Sequence, residues 1–388
     1  MTSEAQDFDD WWEQEQLKEE ADRRRKAEPK PELSPEEFLA WRGVRRGIQH
    51  PTRFDHPLWH WLVRTHWNAF QANEQYFGPS PFDAGPMWCF DRFGQSETTL
   101  PDGRVVYIGG EHEDHYDPDF YIYNDVTIIA PDGQIAIYGY PEADFPPTDF
   151  HSATRVGDDI YIIGRLGYPE SRQVHTTPVY KLSLTTLRIE AVPTHGESPG
   201  WLHQHEATLM ADGHTLLIRG GELWLGDEPA MRENVEDWSF DTRCGLWQRL
   251  SRKGWQHWVM HRVDKQRNRL WDTRREAWDQ ANPGFSTPRY WQHPESPDLE
   301  ALQSLYMLPG VADEVSEGSD YNVFYTCIDG LKVRFRETSF WVEAIVEGQL
   351  SPARLHALQQ HTLALLARID HADYCIEGMP TDNGPTPS

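Results

Sequence analysis

The sequence is short of residues that many secretory and catalytic folds are built on. Its 388 residues hold four cysteines, Cys89, Cys244, Cys327 and Cys375, and no two of them form a CxxC pair. That speaks against a zinc site on paired cysteines, and scattered reduced thiols fit the cytosol. No apolar run approaches the roughly 20 residues that a membrane helix needs. The start, "MTSEAQDFDDWWEQEQ", is acidic and lacks the apolar stretch of a signal peptide. A cytoplasmic protein without membrane contact is expected. The phosphate-cradling GxxxxGK[ST] and a GxGxxG after a strand are missing too. No cofactor is expected, and no catalytic nucleophile is read from the chain. Positive charge is also scarce, with 36 Lys and Arg against 62 Asp and Glu and a net charge of -26. Such a chain repels free nucleic acid at long range and speeds encounter with a basic partner.

What is present suffices for a core. Hydrophobic residues make up 38% and aromatics 12%, with 17 Trp, so the bulk should fold. Residues 1–33 are charge-rich and end in "KAEPKPEL"; they read as a frayed, partly disordered helix and a linker. Residues 34–87 read as a helical segment packing on a β domain. Ser34, Pro35 and Glu37 spell a capping box, and "HPLWHWLVRTHWNAFQANEQYFG" at 56–78 reads as one helix ended by Gly78. Residues 88–285 change to short β runs with Asp-Gly hairpin turns. Residues 286–378 read as a small α+β domain of three strands (321–348) and one amphipathic helix (351–369). Residues 379–388 read as a disordered tail.

The β region repeats itself. Gln95-Ser96-Glu97-Thr98, His151-Ser152-Ala153-Thr154 and His205-Glu206-Ala207-Thr208 coincide, at offsets of 56 and 54 residues. Each is followed by a polar turn, an apolar strand and glycine. A degenerate fourth start stands 52 residues on, at His257-Trp258-Val259-Met260. A period near 50 with about four strands per unit is the mark of a propeller blade.

These residues resemble the kelch family, whose repeat opens on histidine, a small residue and alanine, has a strand ending in Gly-Gly, and carries later Tyr and Trp positions. The glycine pairs here are Gly109-Gly110 and Gly220-Gly221; the middle repeat departs with Gly164-Arg165, and the aromatic pair is clear as Trp238 and Trp247. The resemblance covers about residues 88–275. It implies a mainly β fold of about four kelch-like blades, short of the usual number for a closed ring, with flanking segments covering open edges.

Chemistry gathers in "GGEHEDHYDPDFYIYND" at 109–125. Glu111, His112, Glu113, Asp114, His115, Asp117 and Asp119 crowd a loop that a kelch-like repeat would place on the binding face. Their spacing matches neither an EF-hand loop nor HExxH. From 109 to 150 there are ten acids and no Lys or Arg, whereas 243–275 hold ten bases and two acids, interleaved with Trp247, Trp255, Trp258 and Trp271. Those basic stems are expected to pack on the tryptophans and pair with the chain's own acids, so nucleic acid is not expected as a partner. His151 and His205 recur at one repeat position, which points to a structural hydrogen bond across repeats. Asp91, Arg92, Arg104 and Glu111 are a further candidate polar group.

The reading that follows is a non-enzymatic protein–protein recognition scaffold whose acidic loops dock a basic protein partner, as a neutralising protein of the immunity or antitoxin type does. The alternative is a kelch-fold enzyme, metal-dependent or sugar-acting, that uses the 111–119 loop. Self-association through open blade edges is a third expectation.

Overall fold

The computed structural model describes residues 4–78, 85–112, 120–226, 231–283, 291–311, 315–318 and 322–378. The chain divides into two compact units, Met1–Ser251 and Arg252–Ser388. It is mainly β, with several antiparallel sheets and seven α-helices among the described residues. No helix of the described residues is long and apolar enough to cross a membrane.

Among the described residues the first unit holds five sheets, two of them small (Glu111–His112 with Tyr121–Ile122; Trp201–His203 with Glu222–Trp224 and Met231–Glu233) and three built on four antiparallel strands. The first runs Ser96–Thr99, Val105–Ile108, Asp125–Ile129, Ile135–Gly139. The second runs Ser152–Val156, Asp159–Ile163, Val179–Ser183, Ile189–Ala191, and the third Glu206–Leu209, Thr215–Arg219, Trp238–Asp241, Leu246–Arg249. The Asp-Gly turns close as the sequence suggests. Asp102, Asp132 and Asp212 each accept the backbone N–H two residues on, from Arg104, Gln134 and His214, at 3.1, 3.1 and 3.0 Å. Outer edges of the first and third sheets are paired by flanking strands, Thr52–Phe54 antiparallel on Ile135–Gly139 and His195–Gly196 parallel on Leu246–Arg249. Such pairing leaves only a short strand at each of these edges.

The sheets are joined by a spine of hydrogen bonds along their first strands. His151 Nε2 lies 2.8 Å from Ser96 Oγ, and His205 Nε2 lies 2.9 Å from Ser152 Oγ. Thr98 Oγ1 donates to Ala153 O at 3.3 Å, and Thr154 Oγ1 to Ala207 O at 3.1 Å. One residue ahead of each repeat start, Gly94, Phe150 and Gln204 all have positive φ (60, 48 and 56°). The Phe150 N–H donates to Gly94 O at 2.8 Å, and the Gln204 N–H to Phe150 O at 2.7 Å. Each junction therefore carries three hydrogen bonds at equivalent positions. They hold two residues without glycine's freedom in the left-handed region.

Apolar layers fill the gaps between sheets. Val106, Ile108, Val126 and Ile128 of the first sheet meet Ile160, Ile162, Leu182 and Ile189 of the second. Tyr161, Ile163 and Val179 meet Leu216, Ile218, Trp238, Phe240 and Trp247 of the third. The other face of the first sheet, with Tyr107, Ile129 and Ile137, lies under Trp59, Trp61, Leu62 and Trp88, where the helical segment was expected. Ser34 and Glu37 form the expected capping box. The single helix expected over 56–78 is instead two, Pro57–Thr65 and Ala69–Tyr76. His66 turns left-handed (φ 56°), and Asn68 starts a new helix by accepting from Gln71 N at 2.8 Å. The N-terminal segment holds a helix from Glu4 to Lys26, with Arg24–Glu20 and Lys26–Asp22 pairs one turn apart.

The series stops at three. The far face of the third sheet carries Thr215, Leu217, Arg219, Ser239, Asp241, Leu246 and Gln248, most of them polar and all but Ser239 at least partly exposed. At the spine position of Ser96 and Ser152 it has exposed Glu206. No closed ring forms among the described residues. The expected fourth start, His257, belongs to the second unit. Strand Gln256–Arg262 has Trp258, Val259 and Met260 buried in a row and lies between Trp341–Val346 and Tyr374–Gly378, paired on both sides from Trp258 to His261. The His257 ring meets Glu343, not a repeat serine, at 2.6 Å.

The second unit is one six-stranded antiparallel sheet, not three strands, beginning at Ser316–Glu317, Val323–Ile328 and Leu331–Glu337. Three helices, Leu270–Ala281, Leu299–Ser304 and Pro352–Asp370, contribute to its core beside Trp258, Met260, Phe335 and Ala344. Its start at Arg252 replaces the boundary expected at 285, because the strand at 256–262 sits inside its sheet. Residues 379–388 lie outside the described residues.

The spine has a pH signature. Burial pushes both His151 and His205 from 6.5 down to about 3, since an imidazolium there would leave Nδ1–H sealed without an acceptor. The unfolded chain binds these protons below about 6.5 and the folded chain does not. Stability is therefore full above that pH and is lost as pH falls toward 3, by about 1.4 kcal/mol per pH unit per histidine. Urea titrations from pH 7 to 4 are expected to show this slope. His205→Gln, which restores the side chain of Gln95, should reduce the slope by about half. His205→Ala should cost about 1–3 kcal/mol at pH 7.

Candidate functional site

The spine also aims the loops. Residues two positions ahead of each repeat start are Phe93, Asp149 and His203, and each pairs with the first residue of the following long loop. Phe93 and Glu111 exchange backbone hydrogen bonds at 2.9 and 2.8 Å, the Leu166 N–H donates to Asp149 O at 3.2 Å, and His203 pairs with Glu222. The glycines before these loops are forced by closeness. A Cβ on Gly109 would lie 2.1 Å from Thr148 O, and one on Gly164 would lie 2.2 Å from Leu202 O. Gly110, Gly220 and Gly221 share their positive φ (92, 63 and 81°). Where a second glycine would follow Gly164, the chain has Arg165, and its N–H donates to Leu202 O at 2.9 Å.

Glu111 and His112 open a hairpin with Tyr121–Ile122. Tyr168 fastens it from the next loop by accepting the Ile122 N–H at 2.9 Å. Glu111 is half-buried, while His112 is only 4% exposed, so it is part of the hairpin's packing and not of an exposed docking loop. Glu113, Asp114, His115, Asp117 and Asp119 lie outside the described residues. Among the described residues no three His, Cys, Asp or Glu side chains are placed to hold a metal ion.

The carboxyl of Asp149 completes the site. Asp149 is fully buried, and its Oδ1 accepts from Gly167 N at 2.6 Å. Its Oδ2 is sealed and meets no donor, and the Glu111 carboxyl is close enough to act on its ionisation. Two carboxyls hydrogen-bond only if one keeps a proton. Burial raises the Asp149 pKa above 3.8, outweighing the Gly167 N–H, the Glu111 contact and the more distant charge of Arg165. Arg165 is itself 6% exposed; it donates to Pro147 O at 2.6 Å and lies 5.2 Å from the Trp201 ring. Arg172 donates to Leu166 O and Gly167 O at 3.1 and 3.0 Å. Neither guanidinium closes an ion pair with Asp149.

Sequence reasoning found Glu111 and missed Asp149 and Arg165. Asp149 stands in "TDFHSATR" with nothing local to mark it as buried. Arg165 did leave a signal, as the one departure from the glycine pair. The further candidate group is not assembled. Arg92 is buried in a bidentate pair with Asp125 (2.5 and 3.0 Å), beneath Trp88 and Tyr123. Arg104 pairs with Asp102 in a hairpin turn, and Asp91 with His66. The chain also contains Gly196-Glu197-Ser198-Pro199-Gly200, a GxSxG string the sequence reading passed over. It lies between two short strands with no helix after it, and Ser198 Oγ donates to His175 O at 3.3 Å, so it is no nucleophile elbow. Several bases of the basic–tryptophan run, and their neighbours, pair within the chain. Arg249 lies over Trp238, Lys253 over Trp255 and Arg275 over Trp278, while Arg262 pairs with Asp264, Arg269 with Glu295 and Arg274 with Glu337.

A carboxyl whose folded pKa is raised costs stability as pH climbs from its ordinary 3.8 through the folded value. Asp149→Asn removes that cost, because an amide can donate to Glu111 and still accept from Gly167. At pH 8 it should be at least as stable as the parent chain, by about 0–1 kcal/mol in urea titration, with a smaller difference at pH 5. A loss above about 1 kcal/mol at both pH values would show that no proton is shared.

No protein-family model matches the chain, and no curated protein matches it. Among solved structures, the one titled "Structure of YjhT" is similar over 66% of this chain and 66% of that chain, just under two thirds of its length. The identity is 13% and the TM-score 0.32, a likeness too slight to bear on fold or function.

Proposed function

We propose that the chain is a recognition scaffold of kelch-like blades whose loop face docks a basic protein. Three four-strand units at offsets of 56 and 54 residues, joined through one recurring His–Ser contact, support the kelch-like reading. The docking reading rests on Glu111. It precedes an acid-rich stretch of sequence, and its backbone is bonded to Ile122's strand and to Phe93, just ahead of the first repeat start. Loops on a rigid β scaffold suit macromolecular recognition. A chain of net charge -26 steers a basic partner toward such a face.

The test is kinetic. A partner captured from the native host is measured against the parent chain and a quadruple variant, Glu111→Gln, Glu113→Gln, Asp114→Asn and Asp117→Asn. The association rate should fall about ten-fold in low salt, the gap should narrow at high salt, and the thermal midpoint should hold. Equal association rates in both salts would remove the loop from the docking surface.

A further inference from the structure

The loop between Asp159–Ile163 and Val179–Ser183 holds Arg165 and Arg172 side by side. Both guanidiniums lie against Gly167. Arg172 donates to its carbonyl through Nε and Nη2 at 3.3 and 3.0 Å, and Arg165 Cζ and Nε stand 3.6 Å from where a Cβ on Gly167 would be. Arg165 lies over the Trp201 ring at 5.2 Å, and Arg172 over the Trp224 ring at 5.9 Å. Those two tryptophans are direct cross-strand partners, so their rings leave one face as neighbours. Neither arginine closes an ion pair. Their acceptors are backbone carbonyls, Pro147 O for Arg165 and Leu166 O and Gly167 O for Arg172, in a chain with 62 acids to draw on. Arg165 is only 6% exposed, and its Nε is sealed without an acceptor. Burial lowers the pKa of both; Tyr180 and Asp149 offset this only in part at Arg165, and Asp149 and Glu170 at Arg172. Arg165 Nη2 and Arg172 Nη1 make no hydrogen bond and are not among the sealed atoms, so each arginine keeps a donor to spare.

We propose that Arg165 and Arg172 form a seat for the carboxylate of a small organic acid. A carboxylate offers two oxygens, one to each spare Nη, in charge-assisted hydrogen bonds. Its single negative charge matches what two guanidiniums keep beside the one buried carboxyl of Asp149. A phosphate dianion would bring a second charge against Asp149, so it fits less well. The tryptophans and backbone carbonyls already hold both guanidiniums in place, so binding costs little side-chain freedom. Arg165 is nearly covered, which admits a slender acid group and not a broad protein surface. The seat stands apart from Glu111 and does not depend on the docking reading.

The experiment is ligand-observed NMR of benzoate on the full chain, with benzamide as the uncharged isostere and inorganic phosphate as the rival oxyanion. Variants are Arg165→Gln, Arg172→Gln, Arg172→Lys and, as a control, Arg53→Gln on the exposed side of the flanking strand Thr52–Phe54; thermal melts confirm folding. The parent chain should bind benzoate, and each Gln variant should weaken it about ten-fold. Arg172→Lys keeps the charge and loses the fork, so its loss should be smaller, about three-fold. Arg53→Gln should stay within about two-fold, and benzamide and phosphate should both bind more weakly than benzoate. Should Arg165→Gln fail to fold, the two Arg172 variants, half-buried at the loop, decide the matter. No benzoate binding by the parent chain, or equal binding of benzamide, would overturn the seat. So would a loss in Arg172→Gln no larger than in Arg53→Gln, which would leave the arginines as clamps of their own loop. Phosphate binding tighter than benzoate would overturn the assignment to a carboxylate.

Discussion

The hydrogen bond from a histidine ring to a serine hydroxyl one repeat earlier is the constraint on which the first unit depends. It recurs as His151–Ser96 and His205–Ser152, with a threonine hydroxyl on the next alanine carbonyl and a turn N–H on the previous turn's carbonyl. Side chain and backbone thus set the same offset between sheets. The apolar layers supply most of the burial energy, but they are not directional. Isoleucines and valines would tolerate a slide of one sheet over the next. The spine does not, because each donor has one acceptor in reach.

Everything at the loop face inherits that offset. Glu111 reaches Asp149 because Gly110 N–H binds Thr148 O, which places the end of one sheet's loop against the entry turn of the next. Arg165 takes the position of a second glycine, and so brings a guanidinium into a zone that is glycine in the flanking repeats. Local rules of repetition are broken at Arg165, at Asp149 and at exposed Phe93. Departures of this kind are where a scaffold differs from its own pattern, and so where function is to be sought.

The sequence made the period legible because its markers are local: a histidine, a small residue, alanine and threonine, then an Asp-Gly turn. The three sheets start at Ser96, Ser152 and Glu206, as that pattern suggests. His257 misled, because a lone histidine before an apolar strand also suits the middle of a larger sheet, where its partner is Glu343. Glu206 in place of serine was the visible sign that the spine ends. The break at His66 was hidden in a stretch with good helical periodicity. The Glu111–Asp149 contact joins residues 38 apart in sequence, and no local pattern reports a contact made across two sheets.

Amide hydrogen exchange at Phe150 and Gln204 tests the spine most directly. Both N–H groups lie outside the regular strands, in turns that would ordinarily exchange quickly. Bonded to Gly94 O and Phe150 O, they are predicted to exchange as slowly as the central-strand amides of Ile162 and Ile218, and to open with them in a single cooperative step. Exchange at the rate of the hairpin-turn amides of Gly133 and Gly213 would contradict the account, since the sheets would then be held by apolar packing alone.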